Sequence, residues 1–398
     1  MTSGSLTSIV VIFAVATLTP LAADQLKRWI RIPPTVLEIV LGILIGPSLL
    51  GLAHVDTIVD AFANLGLAVL FFLAGYEVDV GRIRGSPLRR AAGSWGVSLA
   101  VGLLLGAGGA MIIGGGTMAA LALGLALATT AFGTILPMVR DAGLLPTPLG
   151  ARIMAVGTIG EFAPIIAIAI LLSGDRPLHA TTLLLGFAAA AVAAMVLADR
   201  QPPAAMTRVM SGTLTGSGQF AVRLAMLAVL VMVWIAVELH LDLVIGAFAA
   251  GLVMRLVLSS ISRQEAEVVE SKLEGIGFGL LIPLFFVTVG VRFDLAALLG
   301  SPTALALVPI GLVGFLLARG VPVILAFRSQ LPSRDVTALG LYAATALPLV
   351  VVVTDLAVSY EWLESAEAAG LVGAAMLSVL LFPLLAQLAA SSITPDRE

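Results

Sequence analysis

The chain has 398 residues, of which 60% are hydrophobic and only 11% charged, with a net charge of -3, whereas soluble domains are about half apolar and about a quarter charged. The absence of cysteine excludes disulfides, iron–sulfur clusters and thiolate metal sites, and the three histidines, His54, His179 and His240, fall near predicted helix ends and leave little for a catalytic metal. Hydrolase and metalloenzyme chemistry are therefore not expected, and the length is better counted in membrane spans of roughly 20 residues.

Apolar runs between charged or Pro/Gly-rich breaks predict an all-α membrane protein. Its spans fall near 5–23, 33–50, 58–77, 88–113, 116–139, 150–174 and 179–198, then 219–239, 241–259, 271–292, 303–327, 334–356 and 366–391. That makes thirteen. The first run lacks the basic leader of a cleavable signal and is followed by Lys27, Arg28 and Arg31, so it reads as a retained span. With loops alternating sides, eighteen Lys and Arg fall on one side and only Arg176 and Arg292 on the other, which places the N-terminus outside and the C-terminus in the cytoplasm. Residues 199–218, with Pro202 and Pro203, read as a linker, and 392–398 as a short cytoplasmic tail with no soluble regulatory domain expected beyond it.

Two segments share Phe, Gly and Asp at the same spacing: Phe71, Gly75, Asp79 and Phe286, Gly290, Asp294, an offset of 215 that also carries Thr130 onto Thr345. The second and ninth spans align as Leu37–Pro47 with Leu241–Gly251. Span i then corresponds to span i+7, and because seven is odd the two halves cross the membrane in opposite senses. The expected organisation within 1–391 is one repeat over about 5–174, a connector at 179–198 and a second repeat over about 219–391. Chance likeness among Gly- and Leu-rich helices is the alternative.

Glu161, near the middle of the 150–174 span, is an ionisable group deep in the bilayer, which is functional by default unless it is a protonated structural acid. Pro164 denies a hydrogen bond to the Gly160 carbonyl and frees an oxygen beside the carboxylate. Arg319, with Pro322 three residues on freeing the carbonyl of Ala318, is the matching cation; it keeps its proton, so it offsets negative charge or braces broken helices by bonding their free carbonyls, unless it snorkels to the interface. The fifth and twelfth spans contain ATTAFGTILP and ATALPLVVVVT, where Pro137 and Pro348 free the carbonyls of Gly133 and Ala344 and Thr129, Thr130, Thr134 and Thr345 add hydroxyls. These read as interrupted helices whose bare oxygens suit a dehydrated monovalent cation, with a simple proline kink as the alternative. Glu38, Asp242, Glu77, Asp79, Asp294 and Asp355 lie nearer span ends and read as solvated or funnel-lining, while Gly42 with Gly46 and Gly102 with Gly106 read as helix-packing pairs.

The segments LEIVLGILIGPSLLG, LAVLFFLAGYEVD, ALATTAFGTILPMVRDAGLL and PLFFVTVGVRFDL, starting at Leu37, Leu67, Ala126 and Pro283, closely resemble the membrane domain of the sodium/hydrogen exchanger superfamily. The branch they resemble is the bacterial monovalent cation:proton antiporters related to glutathione-gated potassium efflux proteins. The resemblance covers essentially the whole chain. It implies a homodimer in a bacterial plasma membrane, in which a core holding two crossing discontinuous helices moves like an elevator against a dimerisation domain. It also implies that Glu161 stands at the second acid of the family's Asp-Asp or Asn-Asp pair, Gly160 at the first, Thr130 in the first broken helix and Arg319 at a core Lys or Arg.

The expected function is exchange of Na+ or K+ for H+ by alternating access, with the cation at Glu161 and Thr130 and further oxygens from Thr129 and Thr345. One carboxylate for which proton and cation compete gives a one-for-one, electroneutral cycle. No cofactor, nucleic acid or enzymatic activity is expected, only the lipid bilayer and a second copy of the chain. A sodium-coupled organic-solute carrier and a non-transporting membrane sensor are the alternatives.

Overall fold

A computed structural model describes residues 3–26, 33–77, 86–171, 209–214, 218–239 and 243–390, with 186, 189 and 241 singly. In chain order its helices are α1 (Ser3–Leu26), α2 (Pro34–Ile45), α3 (Thr57–Glu77), α4 (Ser86–Ile113), α5 (Thr117–Leu127), α6 (Phe132–Asp141), α7 (Pro148–Leu171), α8 (Phe220–Glu238) and α9 (Leu243–Leu258). They continue with α10 (Arg263–Ile276), α11 (Ile282–Arg292), α12 (Leu295–Gly300), α13 (Pro302–Phe315), α14 (Val321–Phe327), α15 (Ser333–Ala344), α16 (Pro348–Ser359) and α17 (Ser365–Ala389). Among the described residues ten segments are long and apolar enough to cross a membrane, and α2 and α9 are shorter apolar helices. These match twelve of the thirteen predicted spans; the connector at 179–198 lies outside the described residues, as do Asp79, Asp242 and His240.

Three local features differ from the sequence expectation. The span placed at 271–292 begins at Arg263, because its first turns are charged and do not read as apolar. They are held by a reciprocal cap, the Ser262 hydroxyl accepting from the Glu265 N–H and the Glu265 carboxylate accepting from the Ser262 N–H at 3.0 Å. Pro322 is absorbed in a π-helical turn over Leu316–Gly320, in which the Val321 N–H reaches back to the Leu316 carbonyl; a second such turn over Gly277–Leu281 precedes Pro283. Proline has no N–H and its ring presses on the carbonyl four residues back, and one extra residue in the preceding turn relieves that pressure without ending the helix. The third difference concerns Pro137. The break in the fifth span falls at residues 128–131, ahead of the position its proline marks, and Pro137 lies inside α6. The twelfth span breaks where expected, with Pro348 at the first position of α16, a place where a missing N–H costs little.

Contacts divide the chain into two compact units. One comprises the described residues within Met1–Ala16, Ala53–Val78 and Ser173–Thr288. In it α3 and α9 touch backbone to backbone: a Cβ on Gly75 would lie 2.3 Å from the Phe248 carbonyl oxygen, and one on Gly251 2.1 Å from that of Phe72. Arg255 Nη1 donates to the Tyr76 carbonyl at 2.7 Å, satisfying an oxygen left open at the end of α3.

The other unit comprises the described residues within Thr17–Leu52, Asp79–Leu172 and Val289–Glu398. Phe132, Val156, Val323, Phe327, Leu339 and Tyr342 pack α6, α7, α14 and α15 around a shared core. Gly102 and Gly106 of α4 press on α5, where added Cβ atoms would lie 2.6 Å from the Gly124 oxygen and 2.4 Å from the Ala120 oxygen. A Cβ on Gly290 would lie 2.1 Å from the Ile39 oxygen, and one on Gly46 3.0 Å from the backbone of Val291. In lipid, which is as apolar as the helices themselves, such close approach by small residues is what holds helices together. Gly290→Ala is accordingly expected to lower the melting temperature of the detergent-solubilised protein, by roughly 1–3 kcal/mol of stability. Gly96→Ala, where a Cβ meets nothing within 4 Å, should leave it unchanged; equal melting of the two variants would contradict this packing.

Candidate functional site

The two interrupted helices meet at their breaks. The Ala131 N–H, at the first break, donates to the Thr345 carbonyl, at the second, over 2.7 Å. The Thr130 hydroxyl donates to the Ala343 carbonyl at 2.6 Å, and the Thr130 N–H donates to the Gly160 carbonyl at 2.8 Å. That last oxygen is the one Pro164 frees inside α7, so a proline on one helix supplies the acceptor that holds open the break in another.

Neighbouring helices satisfy further backbone groups at the breaks. Trp95 Nε1 of α4 donates to the Ala128 carbonyl at 3.1 Å. Ser378 of α17 accepts from the Ala346 N–H at 3.0 Å and has the Ala346 and Ala375 carbonyls within hydrogen-bond reach of its single hydrogen. Buried backbone polar groups need partners where no water can reach, and these two side chains provide them.

Glu161 is 1% exposed. Its Oε2 accepts from the Gly133 N–H at 3.2 Å, in the first turn of α6, so the positive end of a half-helix faces the carboxylate. Arg319 is 0% exposed, which rules out snorkelling to the interface. Its Nε donates to Thr130 Oγ1 at 2.8 Å, its Nη2 to the Val156 carbonyl at 2.8 Å, and its Nη1 reaches Ser98 Oγ at 3.5 Å. All three acceptors are neutral. The guanidinium thus ties α4, α7 and the first break to the helix that carries it.

The predicted hydroxyls have distinct surroundings. Thr129 donates to the Ala126 carbonyl at 2.8 Å and Thr345 to the Leu341 carbonyl at 3.1 Å, each within its own segment, and both keep acceptor lone pairs. Thr130 spends its hydrogen on Ala343 and a lone pair on Arg319. Thr134 is buried, and its Oγ1 has no hydrogen-bond partner.

Sequence reasoning did not single out Ser98, Ser378 or Trp95. The available signal was a polar side chain within an apolar span. Glu38, expected to be solvated or funnel-lining, is 5% exposed on α2. Asp355 does reach a surface, 3.9 Å from Arg292, and Asp294 caps α12 by accepting from the Ala297 N–H at 2.8 Å.

Interrupted helices that meet within the membrane form the ion and substrate sites of many secondary transporters, and ionisable side chains buried there mark such pathways. Residues 12–387 match the family described as sodium/hydrogen exchanger, transmembrane, and the chain belongs to that family. It is 26% identical to the Na+/H+-K+ antiporter GerN of Bacillus cereus, over 69% of this chain and 70% of that protein. It is 31% identical to cation/H+ antiporter 15 of Arabidopsis thaliana, over 79% of this chain and 40% of that protein. The chain spans 36–63% of the length of four relatives that it matches. Its fold is similar to that of the sodium proton antiporter MjNhaP1 of Methanocaldococcus jannaschii, with a TM-score of 0.71, 17% identity and 98% of each chain covered.

Proposed function

We propose that the chain exchanges a monovalent cation, Na+ or K+, for H+ across a membrane, with Glu161 holding the two in turn. The carrying observation is a carboxylate enclosed in the bilayer-spanning core, set against the N-terminal end of a half-helix where two interrupted helices cross. Such a group binds either a proton or a cation, and few other side chains near it can take part. Arg319 keeps its charge throughout and serves as a brace. With one titrating acid the cycle is one cation for one proton and carries no net current. Purified protein in proteoliposomes should move protons when Na+ or K+ is added on one side, with no dependence of rate on membrane potential. Absence of cation-dependent proton movement across an alkali-cation series would contradict the antiport reading, and a current that reverses with potential would contradict the stoichiometry.

Among the hydroxyls, Thr134 is read as a ligand of the cation beside Glu161, because it follows Gly133 directly and its oxygen is buried without a partner. Thr129 and Thr345 retain lone pairs for the same purpose, whereas Thr130 is read as the latch between the breaks. Thr134→Val, equal in shape but lacking the oxygen, should raise the apparent KM for the cation by about tenfold with little change in melting temperature. An unchanged KM would remove Thr134 from the site.

The wider arrangement is read as two inverted repeats. Gly75 and Gly290, related by the 215-residue offset, each press on a helix of the other aligned pair: Gly75 on α9 and Gly290 on α2. The loop charges support an N-terminus outside and a C-terminus in the cytoplasm, and the resemblance to the exchangers supports a homodimer.

A further inference from the structure

The position before Glu161 holds glycine, and the space its side chain would fill is taken. A Cβ built on Gly160 would lie 2.2 Å from Arg319 Nη2, 2.5 Å from Thr130 Oγ1 and 2.7 Å from Thr130 Cβ. Contacts this short force something to move. The end of a long side chain usually yields cheaply, but this guanidinium is wholly buried and its three nitrogens have acceptors on three different segments: Thr130 Oγ1, Val156 O and Ser98 Oγ. Thr130 is held in turn by Ala343 and by the Gly160 carbonyl itself.

We propose that Gly160 and Arg319 are a matched pair in which the absent side chain at 160 makes the seat for the guanidinium, so that residue 160 positions the fixed positive charge of the site. Gly160 then acts in two ways. Its carbonyl holds the first break, and its missing Cβ admits the cation that braces that break from the other side. Neighbouring residues of α7 thereby divide the work: one makes room for a permanent positive charge, and the next carries the charge that titrates. This rests on the antiport reading for its functional meaning, while the steric coupling stands on geometry alone.

The test is a cycle of Gly160→Ala and Arg319→Lys, singly and together, read both as cation-driven proton flux in proteoliposomes and as melting temperature. Lysine keeps the charge but ends short of the Nη2 position, so it removes the closest of the collisions. Gly160→Ala should cut the flux by about tenfold in the native background and by about threefold or less in the Arg319→Lys background, the coupling expected of side chains in direct contact. The fall in melting temperature should shrink in the same way. Equal losses in the two backgrounds, or a Gly160→Ala protein with native flux and native melting, would overturn the proposal. If the native protein moves no protons, the antiport reading fails instead, and the melting-temperature cycle still decides whether the two positions are coupled.

Discussion

Replacing Glu161 by Gln is expected to reduce cation-driven proton flux to the level of empty liposomes while leaving folding and oligomeric state unchanged. Glutamine is nearly isosteric, and its amide oxygen can still accept from the Gly133 N–H that now meets Oε2. What it cannot do is gain and lose a proton or offer a full negative charge to a cation. The proposed cycle turns on this carboxylate, and loss of such a group costs orders of magnitude in rate rather than a graded fraction. Glu161→Asp separates charge from reach: the acid remains, one methylene shorter, and partial flux is expected. Native flux in the Gln variant would place the exchanged proton on another group.

Arg319 carries the second large effect, and two substitutions separate its part in rate from its part in stability. Arg319→Ala leaves a void and strips donors from Val156 O, Thr130 Oγ1 and Ser98 Oγ. Cavities of this kind cost about 2–5 kcal/mol, and each orphaned acceptor adds about 1–3 kcal/mol. Arg319→Met strips the same donors but fills most of the volume, so it avoids most of the cavity cost. Flux should be lost in both, with the Met variant melting well above the Ala variant. Full flux in Arg319→Met would mean that the guanidinium is a packing element alone.

Much of this was legible in the sequence because a membrane makes charges conspicuous. Glu161 and Arg319 stand out as ionisable groups in apolar runs, and the span read at 58–77 falls on Thr57–Glu77 because polar residues end the run at both sides. The breaks were legible as Thr- and Pro-rich stretches, but their placement was not. Pro348 begins its half-helix, whereas the first break is fixed by hydrogen bonds that its own N–H groups donate to the carbonyls of Gly160 and Thr345, residues distant in sequence, and not by Pro137. The burial of Glu38 was likewise hidden, since it depends on what packs around α2. Ser378 was unreadable for a related reason: a serine in an apolar helix ordinarily bonds its own preceding turn, as this one can through Ala375, and nothing local reveals that it also clasps Ala346.

The π turn over Leu316–Gly320 contains Arg319 itself. Such a turn is one residue longer than the α-helical turn it replaces, as a single-residue insertion would make it. Each residue advances an α-helix by about 100°, so excising one residue here would swing the guanidinium around the helix axis relative to the flanking segments, away from Thr130 and Val156. The aim of the charge is therefore written in the length of the chain as well as in its letters. Among homologous proteins, a one-residue gap at this turn should accompany a different residue at the position of Gly160.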